Sequence, residues 1–222
     1  MKILLIADHE DKALWDYWSK QTQDRLADVN LILSAGDLDA DYLEFLVTML
    51  NVPLVYVHGN HDEAYLKEPP LGCIDADGRV VDVKGGKTTE QVRILGLGGS
   101  MRYKEYAPYM YSEKEMKKRI TGLKRIILKD ALKGRLKGRR GIDILLTHAP
   151  CKGYGDLDDL PHQGFECFND LLGRQHPKLH VYGHVHKDYG RGKDAAADFQ
   201  RTITHPSGTL LVNADRSYVI EC

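Results

Sequence analysis

The chain has 222 residues, of which 42% are hydrophobic and 28% charged. That is enough apolar material for an ordinary core, and it excludes a disordered or fibrous chain. Lys and Arg number 31 against 32 acidic residues, so the net charge is −1 and no global electrostatic grip on nucleic acid is indicated.

The first apolar run stops at Asp8. A signal peptide needs about 7–15 apolar residues and a membrane helix about 20. A cytoplasmic protein without a membrane partner is therefore expected. Cys73, Cys151, Cys167 and Cys222 form no Cys-x-x-Cys pair. Reduced, mostly buried thiols are expected rather than a zinc knuckle or redox pair.

Ile3 to Ala7 is a continuous apolar run and predicts a buried strand. Leu14, Tyr17 and Trp18 predict a short helix, and Leu31 to Leu33 a second strand. Leu43, Leu46, Val47 and Leu50 follow at i, i+3, i+4 and i+7, with Asp39 or Asp41 as a cap. Leu54 to Val57 is a third strand. This alternation predicts an α/β chain with a parallel sheet, whose ligands gather at the carboxyl ends of strands.

Residues 69–100 are less regular, with β-like pieces at Arg79 to Val83 and Gln91 to Leu95. Ser112 and Glu115 match a capping box, and Met116, Ile120, Leu123 and Ile127 form a stripe behind it. Ile142 to Leu146 predicts a strand, and Phe165, Phe168, Leu171 and Leu172 a helix stopped by Gly173. Leu179 to Tyr182 predicts another strand, with Thr209 to Val212 and Tyr218 to Glu221 as a closing hairpin. No repeat or linker interrupts the chain, so one domain over 1–222 is expected.

The polar residues that follow these strands carry the chemistry. They are Asp8-His9-Glu10, Gly36-Asp37, Gly59-Asn60-His61-Asp62, Thr147-His148-Ala149-Pro150 and Gly183-His184-Val185-His186. Carboxylates, an amide and imidazoles at five strand ends are metal-ligand types in the place where such a sheet builds its site. Seven candidate ligands (Asp8, Glu10, Asp37, Asn60, His148, His184 and His186) are too many for one four-coordinate ion and suit two.

The ordered set resembles the metallophosphoesterase, or calcineurin-like phosphoesterase, family. That family runs Asp-x-His, Gly-Asp, Gly-Asn-His-Asp/Glu, His, Gly-His-x-His. The stretch from His148 to Phe165 looks like its small bacterial or archaeal members. The resemblance implies a four-layer α-β-β-α sandwich of two mixed sheets flanked by helices. It implies that Asp8, Glu10, Asp37 and His186 hold one metal, and Asp37, Asn60, His148 and His184 a second. A hydroxide bridging both would attack phosphorus. His61 would protonate the leaving group, and Asp62 would orient His61.

One position departs from the family. Its first motif has His two residues after Asp, where this chain has Glu10, with His9 one residue early. A one-residue step points to the other side of an extended chain, so Glu10 is the expected ligand unless a bulge intervenes. Three carboxylates favour harder ions: manganese first, magnesium before zinc, with iron and nickel as further candidates.

The expected partner is a phosphoester substrate, a diester slightly favoured over a monoester because no cap domain is evident. Nucleotides and nucleic acids fall within that class. The alternative is a non-enzymatic interaction module on the same fold. Lys114 to Arg140 carries twelve basic residues, read as a solvated helix face rather than a polyanion site. His58, His176, His180 and His205 are read as structural or surface residues, and His162 as a candidate substrate contact. Asp156, Asp158 and Asp159 are read as a solvated loop. Tyr103, Tyr106, Tyr109 and Tyr111 are read either as a substrate mouth or as loop packing.

Overall fold

The computed structural model describes residues 1–136, 141–186 and 199–221. In chain order its elements are β1 (Lys2–Ala7), α1 (Lys20–Arg25), β2 (Leu31–Ser34), α2 (Ala40–Leu50), β3 (Leu54–Tyr56), β4 (Ile74–Asp75), β5 (Arg79–Lys84) and β6 (Gln91–Leu97). Then follow β7 (Ser100–Met101), β8 (Met110–Tyr111), α3 (Glu113–Leu136), β9 (Ile144–Thr147), α4 (Glu166–Gln175), β10 (Leu179–Tyr182), β11 (Thr202–Thr204), β12 (Leu210–Asn213) and β13 (Arg216–Glu221).

Two mixed sheets form. One has the order β13-β1-β2-β3-β4 and the other β11-β12-β10-β9-β6-β5, with β7 and β8 as a separate ribbon. The β1-β2-β3 ladder is parallel, as the alternation predicts. So is the β6-β9-β10-β12 series.

Alternation along each strand makes the layers. Ile3, Leu5, Leu31, Leu33 and Val55 of the first sheet meet Ile94, Ile144, Leu146, Val181 and Val212 of the second in one buried cluster. The intervening residues Leu4, Ile6, Ile32 and Leu54 face Tyr42, Leu43, Leu46 and Leu50 of α2. Leu95, Leu97, Leu145 and Leu211 face α3 and α4 through Met116, Ile120, Leu123, Phe168, Leu171 and Leu172. Period-two alternation sends each strand's side chains to two faces, and both faces are buried here. This is the four-layer sandwich.

Some elements differ from expectation. Leu14 lies in a single 3₁₀ turn, Lys12–Leu14, while Tyr17 is exposed. The nearby α-helix is α1, which is polar throughout and starts where Ser19 Oγ accepts the Thr22 N–H. Helix α4 runs through Gly173 and ends at His176, whose φ of 46° turns the chain while its N–H bonds the Leu172 carbonyl.

β12 and β13 form no hairpin: β12 pairs in parallel with β10, and β13 crosses to pair antiparallel with β1 in the other sheet. The capping box forms, with Glu115 N–H on Ser112 Oγ and Ser112 N–H on Glu115 Oε2.

Cys151 and Cys167 are buried thiols and Cys73 is half-buried; Cys222 lies outside the described residues. So do residues 137–140 of the basic run, and so does the side chain of Ile127. No helix among the described residues is long and apolar enough to cross a membrane.

Candidate metal centre

The site lies where the carboxyl ends of β1, β2, β3, β9 and β10 converge from both sheets. Three of these strand ends turn sharply. Asp8, Asp37 and His184 hold φ of 64°, 57° and 69°. This left-handed region is tolerated best by Asn, Asp and His among non-glycine residues, and such strain gathers at functional sites.

Gly36 and Gly59 let two strand ends touch. A Cβ on Gly36 would lie 2.3 Å from the Gly59 nitrogen, and one on Gly59 would lie 1.9 Å from Asp37 Oδ1. The Gly-Asp and Gly-Asn-His-Asp pairings are therefore a packing requirement as well as a motif.

The densest donor group is Asp37, His148 and His184, with one ligand atom from each lying within 4.8 Å of the others. His148 is fully buried, and its Nδ1 lies 2.7 Å from the Ala35 carbonyl. Donation there leaves Nε2 facing Asn60 Oδ1 at 3.0 Å and Asp37 Oδ2 at 3.4 Å. Fixing one ring nitrogen to set the other as a ligand is a usual outer-shell arrangement at metal sites. The His184 ring lies 4.8 Å from that of His148 by centroids, with Nε2 2.7 Å from the Pro161 carbonyl.

Electrostatics match the geometry. Burial opposes charge on His148, but the Asp37 carboxylate, its hydrogen bond and Asp8 outweigh it and hold the imidazole up at about 9. Burial likewise opposes ionisation of Asp37, yet His148 and the His61 N–H hold its carboxyl well below the usual range. Burial, then the neighbouring His148 charge, pushes His184 down to about 3. The pocket thus favours positive charge between Asp37 and His148 and neutral imidazole at His184.

The other expected ligands border this group. Both Asp8 carboxylate oxygens accept the His184 N–H, at 2.9 and 3.0 Å, and His186 Nε2 lies 3.5 Å from Asp8 Oδ1. Asp8, Glu10, Asp37, Asp39, His61 and Asp62 line a cleft of about 220 Å³. Burial, then Asp39 and Asp16, raises the Glu10 pKa. Carboxylates crowded into one small cleft, with imidazole nitrogens and an amide oxygen beside them, are a donor set that fits divalent metal.

His9 takes a different part. Its Nδ1 lies 2.8 Å from Asp215 Oδ1, and its ring packs edge-on against His186 at 4.4 Å. It steadies the His186 ring, while Glu10 faces the cleft.

Asp62 departs from its expected role. Its Oδ2 accepts the backbone N–H of Gly59 at 2.7 Å and of Asp37 at 3.0 Å. No hydrogen bond joins the Asp62 carboxylate to the His61 ring among the described residues. Its acceptor capacity goes to two backbone donors at the strand ends, so it braces the loops. Burial, then Asp37, raises its pKa to about 7. His61 is exposed at the cleft, its backbone N–H held by Asp37 Oδ1 at 2.8 Å.

The remaining candidates separate by contact. The His162 ring lies 5.4 Å from that of His184 and is held by Asp159 at 2.6 Å. Asp156 accepts the N–H groups of Gly153 and Gly164, so this acidic loop is built by its carboxylates rather than merely solvated. His58 stacks on Tyr109, and His180 is fully buried. The site also uses residues the motifs do not show: Asp215, the Ala35 and Pro161 carbonyls, and Tyr103, whose hydroxyl lies 3.4 Å from Asn60 Nδ2. Asp215 follows a strand, and the strand-end rule that found the others points to it as well.

A four-layer sandwich with carboxylate, amide and imidazole donors gathered at its strand ends defines an α/β protein with a candidate metal centre. A family model for calcineurin-like phosphoesterases matches residues 1–188, and the chain belongs to that family. Among curated relatives, UPF0046 protein T07D4.2 of Caenorhabditis elegans is 41% identical over 61 residues, 27% of this chain and 15% of that protein. Human metallophosphoesterase domain-containing protein 1 is 37% identical over 62 residues, 27% of this chain and 19% of that protein. The chain thus spans less than a fifth of either relative's length. The solved structure of TT1561 of Thermus thermophilus shares the fold, with a TM-score of 0.58, 16% identity, and coverage of 97% of this chain and 89% of that one.

Proposed function

We propose that this chain hydrolyses phosphoesters, with a diester favoured over a monoester, at a site holding two divalent metal ions. The observation that carries the reading is the grouping of Asp37, His148 and His184 donor atoms within 4.8 Å beside the cleft lined by Asp8, Glu10 and His61. Asp8, Glu10, Asp37 and His186 would hold the first ion, and Asp37, Asn60, His148 and His184 the second. When bound, such ions supply Lewis acidity, which acidifies water and neutralises charge on phosphoryl oxygens.

The chain's own residues do the rest. His148 keeps one tautomer through Ala35, which presents Nε2 to the donor group. Asp62 fixes the backbone at Asp37 and Gly59, so the Asp37 carboxylate and the His61 backbone stay in register. His61, exposed at the cleft edge, would give a proton to the leaving-group oxygen. The carboxylate count at the first site favours manganese or magnesium over zinc.

Parallel turnover of bis-p-nitrophenyl phosphate and p-nitrophenyl phosphate by manganese-loaded protein tests the reading, with His61→Ala alongside. Faster diester turnover and a loss of about 10²–10⁴-fold in kcat on His61→Ala are expected. A strong monoester preference would overturn the diester assignment. Turnover unchanged in the variant would remove His61 from the chemistry. Metal-loaded protein without turnover of either ester would favour the interaction-module alternative.

A further inference from the structure

The four tyrosines between β7 and α3 lie on one segment, Tyr111 in β8, but have different surroundings. Tyr106 is 98% exposed. Tyr109 stacks on His58 with ring centroids 4.4 Å apart and planes at 6°. Tyr111 lies under the Arg119 guanidinium at 4.3 Å. Tyr103 alone among them carries its hydroxyl to the metal centre, where Asn60 Nδ2 donates to it at 3.4 Å.

The loop that carries Tyr103 is anchored on both sides. Ser100 N–H bonds the Tyr109 carbonyl and Arg102 N–H the Tyr111 carbonyl. The Arg102 guanidinium also reaches the Met110 carbonyl and Glu115 Oε1, each at 3.0 Å. β7 packs against the 3₁₀ turn Leu160–His162, whose Pro161 carbonyl meets the His184 ring. A side chain on such a support is held in place before any ligand arrives.

Asn60 turns Oδ1 toward His148 Nε2 and its amide N–H toward the Tyr103 oxygen. That oxygen is the acceptor in this bond, so its own O–H is left to donate to a second partner. The Lys104 ammonium lies 5.4 Å from the Tyr103 ring centroid. An O–H left to donate beside a metal-ligand amide suits an anionic oxygen.

We propose that Tyr103 is a substrate-binding residue whose phenol O–H donates to a non-bridging phosphoryl oxygen while its oxygen accepts the Asn60 N–H. The proposal rests on the phosphoester reading of this site.

Calorimetric titration with inorganic phosphate and, separately, with manganese tests it on wild type, Tyr103→Phe and Tyr106→Phe. Melting curves confirm that each variant folds. A lost hydrogen bond to a charged oxygen is expected to weaken phosphate binding to manganese-loaded Tyr103→Phe by about 10-fold or more. Manganese affinity should stay at the wild-type value, and Tyr106→Phe should change neither. With an ester substrate, Tyr103→Phe should raise KM more than it lowers kcat.

Unchanged phosphate affinity in Tyr103→Phe would overturn the proposal. Loss of manganese affinity in that variant would also overturn it, because the phenol would then act only by orienting Asn60. Wild-type protein that binds no manganese would instead overturn the reading on which the proposal rests.

Discussion

The backbone N–H of Asp37 donates to Asp62 Oδ2 at 3.0 Å, and the same oxygen accepts the Gly59 N–H at 2.7 Å. Asp37 in turn accepts the His61 N–H at 2.8 Å. The ends of β2 and β3 are thus tied by a reciprocal pair of carboxylates 25 residues apart in sequence.

Substitutions at Asp62 separate this bracing from charge. Asp62→Ala strands two backbone donors and is expected to cost about 2–4 kcal/mol in urea unfolding of EDTA-treated protein. Asp62→Asn keeps an acceptor oxygen and cannot ionise. The Asp62 pKa is raised to about 7, above its ordinary 3.8. The folded state therefore binds the proton more tightly than the unfolded chain does. That contribution is full below pH 3.8 and is lost as pH rises through about 7. Wild type should lose stability relative to Asp62→Asn between pH 5 and pH 8, and a parallel pH dependence would refute the assignment.

Gly59→Ala tests the close approach of the two strand ends. Its Cβ would sit 1.9 Å from Asp37 Oδ1, so the Asp37 carboxylate must move. Overpacking of this kind costs about 1–3 kcal/mol. Manganese affinity, read by calorimetry, should fall by about 10-fold or more because a shared ligand is displaced.

Glu10→His restores the pattern of the wider family and removes one carboxylate from the first site. Zinc affinity relative to manganese should rise by about 10-fold in competitive titration. An unchanged ratio would place Glu10 outside the ligand set.

His180 gives a prediction away from the metal. It is fully buried, with Nε2 2.8 Å from Thr147 Oγ1 and Nδ1 3.5 Å from Cys151 Sγ. Thr147 spends its own proton on the Ala149 carbonyl. The ring is therefore neutral with Nε2–H donating to Thr147, and Nδ1 accepts from the thiol. Burial, then the His205 charge, pushes its pKa down to about 3. Its stabilising contribution is present above pH 6.5 and is lost as pH falls toward 3. The stability gap between wild type and His180→Asn should narrow from pH 7 to pH 4, as followed by chemical unfolding.

The strand ends were legible because short apolar runs followed by Gly, Asp, Asn and His leave few alternatives. Asp8, Asp37, Asn60, His148, His184 and His186 all lie at such ends, and the structure brings them together around the cleft. Helix α1 was not legible, because Lys20 to Arg25 carries no apolar stripe and is announced only by its Ser19 cap. Gly173 misled because its helix is fixed by Phe168, Leu171 and Leu172 against the second sheet, which overrides a single glycine. The pairing of β13 with β1 depends on partners more than 200 residues apart in sequence, which local pattern cannot encode. The Asp62 role was missed because motif order names a residue without saying which backbone groups need an acceptor.

Metal content and turnover measured on the same samples decide whether this metal centre supports phosphoester hydrolysis. EDTA-stripped wild type and Asp37→Asn would be loaded with manganese, magnesium, zinc, nickel or iron(II), then assayed for bound metal and for diester hydrolysis. About two ions per wild-type chain are expected, with turnover restored best by manganese and both properties lost in Asp37→Asn. Wild type that binds no metal, or Asp37→Asn that binds and turns over like wild type, would rule out this metal centre.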